Sequence, residues 1–133
     1  MHVKNLNHVN IQTRDMAGTI GFYADWLGLE ARTAPERDPA ERQWLYDSRG
    51  MAVIHLNLLG TENTIAREVD PGAPTGAIHH VAFECDGFDG MLARLKAHGL
   101  DYGFHEIHQI GLKQIFITDP NNVLLELNFR EEP

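Results

Sequence analysis

Among 133 residues there is one cysteine, Cys85, which excludes an internal disulfide and suits a reducing compartment. It falls within an alternating apolar stretch, where it reads as a small buried hydrophobe. Long apolar runs are missing too. Nothing approaches the roughly 18 residues a membrane span needs, and the opening "MHVKNLNHVNI" has no apolar stretch of signal-peptide length. The expectation is a soluble, cytoplasmic chain with no membrane partner. Positive charge is also scarce: 11 Lys and Arg stand against 19 Asp and Glu, a formal net charge of −8. Binding to a phosphate backbone relies on clustered Lys and Arg, so no nucleic-acid partner is expected. A small molecule or another protein fits better.

What the sequence does contain is a repeat. "HVNIQTRDMAGTIGFYADWLGL" (8–29) matches "HVAFECDGFDGMLARLKAHGL" (80–100), each giving a short strand, an Asp or Gly turn and an amphipathic helix. Met16, Ile20, Tyr23 and Leu27 follow a capping Asp15 at helical spacing; Phe88, Leu92 and Leu95 do the same before a terminating Gly99. The second half repeats as well: "VIHLNL" (53–58) lies over "LLELNF" (124–129), and "WLYDSRG" (44–50) over "IFITDPN" (115–121), with Asp-Pro-Asn-Asn as a hairpin turn. The length suits one domain, divided into a module at about 1–60, a Gly/Pro-rich linker at about 61–77 and a second module at about 78–133. Each module reads as β-strand, helix, then three strands. The charged segment 33–43 reads as a solvated connection, and 102–112 as a lid or short strand.

Alternation along the strands sorts residues by face. Val9, Ile11 and Thr13 oppose His8, Asn10 and Gln12; Val81, Phe83 and Cys85 oppose His80, Ala82 and Glu84. Ile54, Leu56 and Leu58 leave His55 and Asn57 on the other side, and Leu125, Leu127 and Phe129 leave Glu126 and Asn128. The apolar faces must meet the helices, so the repeat-matched positions 8, 55, 80 and 126 share the face away from them. The adjacent His79 and His80 then point to opposite faces, with His80 the one that faces a pocket. A carboxylate such as Glu126 among apolar neighbours is costly unless paired or bound to a cation. Three imidazoles on the same face make a divalent metal the natural compensation.

At these residues the sequence resembles the vicinal oxygen chelate superfamily, the glyoxalase I, bleomycin-resistance and extradiol-dioxygenase group. "NHVNI…FYADWLGL", "IHHVAF" and "FITDPNNVLLELNF" carry the resemblance over nearly the whole chain. It implies an α+β fold in which two βαβββ modules form a curved mixed sheet around a metal cavity. It also implies a homodimer, and His8, His80 and Glu126 as metal ligands.

The resemblance implies a metal-dependent enzyme whose substrate chelates the ion through adjacent oxygens, such as a catechol or hydroxyketone. The extradiol-type members share the two-histidine, one-glutamate set and keep further histidines for proton transfer, roles that fall to His55 and His108. An extradiol-type ring-cleaving dioxygenase with Fe(II) is therefore the leading expectation, with Zn, Ni, Co or Mn compatible with the same donors. The alternative is a glyoxalase I-like lyase or isomerase. Members of that kind carry a carboxylate or amide where this chain has His55, which then becomes a fourth ligand. A metal-free protein that binds a bleomycin-type antibiotic is the third reading, and it has no need of the triad. Trp44, Tyr46, Phe104 and Phe116 line an aromatic substrate cavity on this view, or else pack in the core.

Overall fold

The computed structural model describes residues 1–63 and 65–130. The chain forms two compact units, Met1–Pro71 and a second beginning at Gly72. The first contains β1 (Val9–Thr13), α1 (Met16–Leu27), β2 (Glu30–Thr33), β3 (Arg42–Tyr46) and β4 (Ala52–Leu58). The second contains β5 (Val81–Cys85), α2 (Phe88–His98), β6 (Gly103–Ile107), a 3-10 turn (His108–Ile110), β7 (Leu112–Thr118) and β8 (Leu124–Arg130). The fold is α+β, and each unit is a βαβββ module. Its strands make two separate four-stranded mixed sheets, ordered β1-β4-β3-β2 and β5-β8-β7-β6.

Each sheet is built by the same local chemistry. The first strand runs parallel to the last and the other neighbours are antiparallel, because the helix returns the chain to the same end of the sheet. Asp15 caps α1 by accepting a hydrogen bond from the Gly18 amide at 2.9 Å. Gly28 and Gly99 close the two helices at φ 67° and 65°, a left-handed conformation that costs glycine little. The last hairpin of each module uses one Asp twice. Asp47 Oδ1 accepts from the Arg49 and Met51 amides at 2.9 and 3.0 Å, and Asp119 Oδ1 accepts from Asn121 and Val123 at 2.8 Å each. The left-handed position that follows is Gly50 in one turn and Asn122 in the other.

The apolar faces form the cores. In the first module Leu45, Ile54 and Leu56 are inaccessible beneath Tyr23 of α1; in the second, Ile115, Ile117, Leu125 and Leu127 are buried with Leu95 of α2. The helical stripe of α1 differs from the expected one. Its buried residues are Thr19 and Tyr23, while Met16, Ile20 and Leu27 are half-buried. Thr19 can occupy the centre because its hydroxyl lies 3.0 Å from that of Thr13 on β1, so neither polar group is buried unpaired. In α2 the buried positions are Met91 and Leu95. Segment 102–112 contains β6 and the 3-10 turn. Among the described residues, no helix is long and apolar enough to cross a membrane.

Candidate functional site

In the second module, register places the candidate carboxylate. Glu126 pairs across β5–β8 with Ala82 and across β7–β8 with Phe116, so its side chain rises from the sheet face opposite α2. His80, just before β5, brings Nε2 to 3.8 Å from Glu126 Oε1. The carboxylate is mostly shielded, with 14% of its side chain exposed, and His80 is more open at 35%. The other carboxylate oxygen, Oε2, accepts a hydrogen bond from Asn128 Nδ2 at 3.0 Å; Asn128 Oδ1 in turn accepts one from Gln114 Nε2 at 3.0 Å.

The structure differs from strict alternation at the two histidines. β5 starts at Val81, so His79 and His80 lie outside the ladder that would force them to opposite faces. Their Nδ1 atoms are 2.9 Å apart and hydrogen-bonded, with the rings edge to face. His79 therefore occupies the far nitrogen of His80 and leaves Nε2 facing Glu126.

The first module arranges its candidates as a stack. His55 lies between His8, at 3.6 Å between ring centroids, and Trp44, at 4.2 Å, with interplanar angles of 9° and 11°. Trp44 is the cross-strand partner of His55. His8 Nδ1 is 2.6 Å from Asn7 Oδ1, which makes Nε2 the acceptor of the neutral ring. Burial, together with the neighbouring His8, pushes the His55 pKa down to about 4 against an opposing hydrogen bond to Ala52. The ring is thus neutral at pH 7.

The remaining candidates divide. Phe116 shares the face of Glu126, as its cross-strand register requires. Tyr46 lies beneath the Arg32 guanidinium, 4.5 Å from the ring centroid, on the same sheet face as Trp44. Phe104 does not join Phe116: its ring meets Phe88 of α2 at 5.8 Å, and Phe88 also meets Phe129. It is therefore on the helix side, because in β6 it alternates with Gly103, the partner of Phe116. His108 sits in the 3-10 turn with 83% of its side chain exposed and Nδ1 3.6 Å from Glu106. Glu106 shares the helix-side face with Phe104, so His108 is not gathered with Glu126. A recess of about 300 Å³ at the start of α2, lined by Phe88, Lys113 and Phe129, is likewise on the helix side. None of the sequence candidates lines it.

Comparison with known proteins places this arrangement. The model of the Glyoxalase/Bleomycin resistance protein/Dioxygenase superfamily matches residues 5–127. The chain belongs to that superfamily. It is 26% identical over 129 residues to Glyoxylase I 4 of Arabidopsis thaliana, covering 96% of this chain and 71% of the relative. It is 28% identical over 139 residues to the ethylmalonyl-CoA/methylmalonyl-CoA epimerase of Cereibacter sphaeroides, covering 94% and 97%. Among solved structures, a genomically encoded fosfomycin resistance protein from Listeria monocytogenes superposes with a TM-score of 0.68 at 19% identity, covering 98% of this chain and 96% of that one. That likeness concerns the fold.

Members of this superfamily generally use a divalent metal and bind small molecules, often as dimers. The donor set can be tested against such an ion. At 3.8 Å, His80 Nε2 and Glu126 Oε1 are within the roughly 4.2 Å that one ion with bonds of about 2.1 Å can bridge. His8 and His55 are different. Imidazole lone pairs lie in the ring plane, so two parallel rings 3.6 Å apart do not aim at one ion together. Among the described residues, no three His, Cys, Asp or Glu side chains gather into one metal cluster; each module presents a pair. His79, Gln114 and Asn128 are the site neighbours that sequence reading assigned no role. Alternation does put Asn128 on the face of Glu126, but the observed pairing is centred on Asn121, whereas a hairpin centred on Asp-Pro-Asn-Asn as a whole would have set Gln114 opposite Leu127.

Proposed function

We propose that this protein is a divalent-metal-dependent enzyme of the lyase or isomerase kind, moving a proton on a small substrate that presents adjacent oxygens. The observation that carries the reading is the His80–Glu126 pair, an imidazole nitrogen and a carboxylate oxygen within reach of one ion on the open sheet face. His8, His80 and Glu126 are the residues we assign to hold the ion. When bound, it supplies Lewis acidity to the oxygens that chelate it.

The rest of the chemistry falls to the chain. His55 is held by stacking between His8 and Trp44 and is neutral at pH 7, so it has a nitrogen free to accept a proton from substrate and return it. Its low pKa limits the driving force for accepting that proton but keeps it in the receptive state. Trp44, Tyr46 and Phe116 offer flat apolar surface for the substrate body. The curated relatives are named as a glyoxylase and an acyl-CoA epimerase, which supports proton transfer next to a carbonyl. The extradiol reading drew on His108 as a second proton carrier, and the exposure of His108 beside Glu106 removes that support. We take the working unit to be a cytoplasmic homodimer in which modules pair to complete the ligand set.

Deuterium wash-in tests the reaction class. Incubated in D2O with a panel of α-hydroxyketones, glutathione hemithioacetals and 2-methylacyl thioesters, the metal-loaded protein should exchange the α-proton of at least one. Oxygen uptake with catechols and no wash-in would replace the reading with ring cleavage and Fe(II). Tight binding of an antibiotic by metal-free protein, with neither reaction, would replace it with sequestration.

A further inference from the structure

We propose that Asn128 and Gln114 are positioning residues that fix which oxygen of Glu126 is offered for binding. This inference rests on the metal reading of Glu126 above. The geometry is a one-way chain on the open face of the second sheet: Gln114 Nε2 donates to Asn128 Oδ1 at 3.0 Å, and Asn128 Nδ2 donates to Glu126 Oε2 at 3.0 Å. An ionised carboxylate only accepts. Asn128 must therefore turn its amide nitrogen toward Glu126, which leaves its oxygen outward, and Gln114 must then present its own nitrogen. The direction of every group follows from the charge at the end of the chain. Its effect is to occupy Oε2 and leave Oε1 turned to His80.

The repeat supplies an internal comparison. In the first module Asn57 stands where Asn128 does, but its Nδ2 donates to Asn63 Oδ1 at 2.7 Å. Arg42, which pairs across the strands with Asn57 as Gln114 does with Asn128, bonds instead to Thr61 and the Glu62 carbonyl. That module has His55 where the second has Glu126, so there is no carboxylate to orient. The amide chain accompanies the carboxylate.

Zn2+ affinity of the metal-free full chain, read by competition with a chromophoric chelator, tests this. The informative variant is Gln114→Glu, which is nearly isosteric. As a carboxylate, position 114 can only accept. Asn128 then turns its nitrogen toward it and faces Glu126 with an oxygen. Added negative charge alone would tighten cation binding, whereas the inference expects weakening. Outer partners of metal ligands are typically worth about 10- to 100-fold in affinity. Gln114→Glu and Asn128→Ala should each fall in that range, and Gln114→Ala, which leaves Asn128 free to keep its direction, should fall less. If Glu126→Ala abolishes binding while Gln114→Glu binds as tightly as the parent or more so, the positioning role is overturned and the metal reading stands. If the parent binds no Zn2+, or Glu126→Ala binds like the parent, the metal reading fails and the positioning role fails with it.

Discussion

Truncating Asp119 to Ala should cost far more stability than the same change at Asp47, although the two side chains make the same turn. In each, Oδ1 accepts two backbone amides at 2.8 to 3.0 Å, and a hydrogen bond to a charged group is worth roughly 1.5–3 kcal/mol. Burial decides how much of that is recovered when the carboxylate is removed. Asp119 and Asn121 are 4% and 7% exposed, so water cannot readily replace the lost acceptor. We expect about 3–5 kcal/mol for Asp119→Ala. The Asp47 side chain is half-buried, 19% exposed beside an open Arg49, so water can take over in part, and about 1–2 kcal/mol follows. Asp119→Asn retains an acceptor oxygen and should fall between parent and Asp119→Ala. Urea unfolding of the three variants at pH 7, with slopes compared to the parent, measures this. Equal losses at the two positions, or a larger one at Asp47, would refute the burial argument. A consequence should appear at the proposed metal site, because the Asp119 turn leads directly into β8 and Glu126.

Burial pushes the Cys85 thiol up from 9.0 to about 11, with Glu84 and Asp86 adding to it. Its iodoacetamide labelling at pH 8 should be about 100-fold slower in the native than in the urea-unfolded chain, and native stability should decline as pH rises from 9 toward 11, because the unfolded thiol ionises first. Burial raises the Asp47 pKa, but hydrogen bonds from Met51 and Arg49 outweigh it and hold the carboxyl below its ordinary 3.8. The stability it contributes is present above that value and lost as pH falls through the lower folded value, which acid titration of Asp47→Ala beside the parent will show as a reduced loss. His79→Ala should weaken metal binding by about tenfold, since it removes the hydrogen bond on the far nitrogen of His80. Affinity equal to the parent would mean that His80 is oriented by its backbone alone.

Much of this architecture was legible because the sequence states it twice. The Asp15 cap, the Gly99 stop and the Asp-Pro-Asn-Asn turn are local signals whose physics does not depend on distant residues, and each forms as read. Alternation put His55 and Glu126 on the sheet face away from the helices, and the strand registers agree. Where reading fell short, a non-local fact intervened. The buried Thr19 needed a hydroxyl partner on another strand, Thr13, which periodicity does not reveal. His79 and His80 escaped alternation because the β5 ladder begins one residue later. Phe104 was counted by its aromaticity as a cavity residue, but its strand position turns it to α2. The Gln114–Asn128–Glu126 chain depends on cross-strand register, which composition does not carry.

The most direct test is the metal content of protein purified without chelators, measured for the parent, His80→Ala and Glu126→Gln, with folding checked by circular dichroism. The His80–Glu126 reading predicts one divalent ion per site in the parent and its loss in both variants, while all three remain folded because neither side chain lies in the helix-packed core. Stoichiometric metal retained in both folded variants would contradict it.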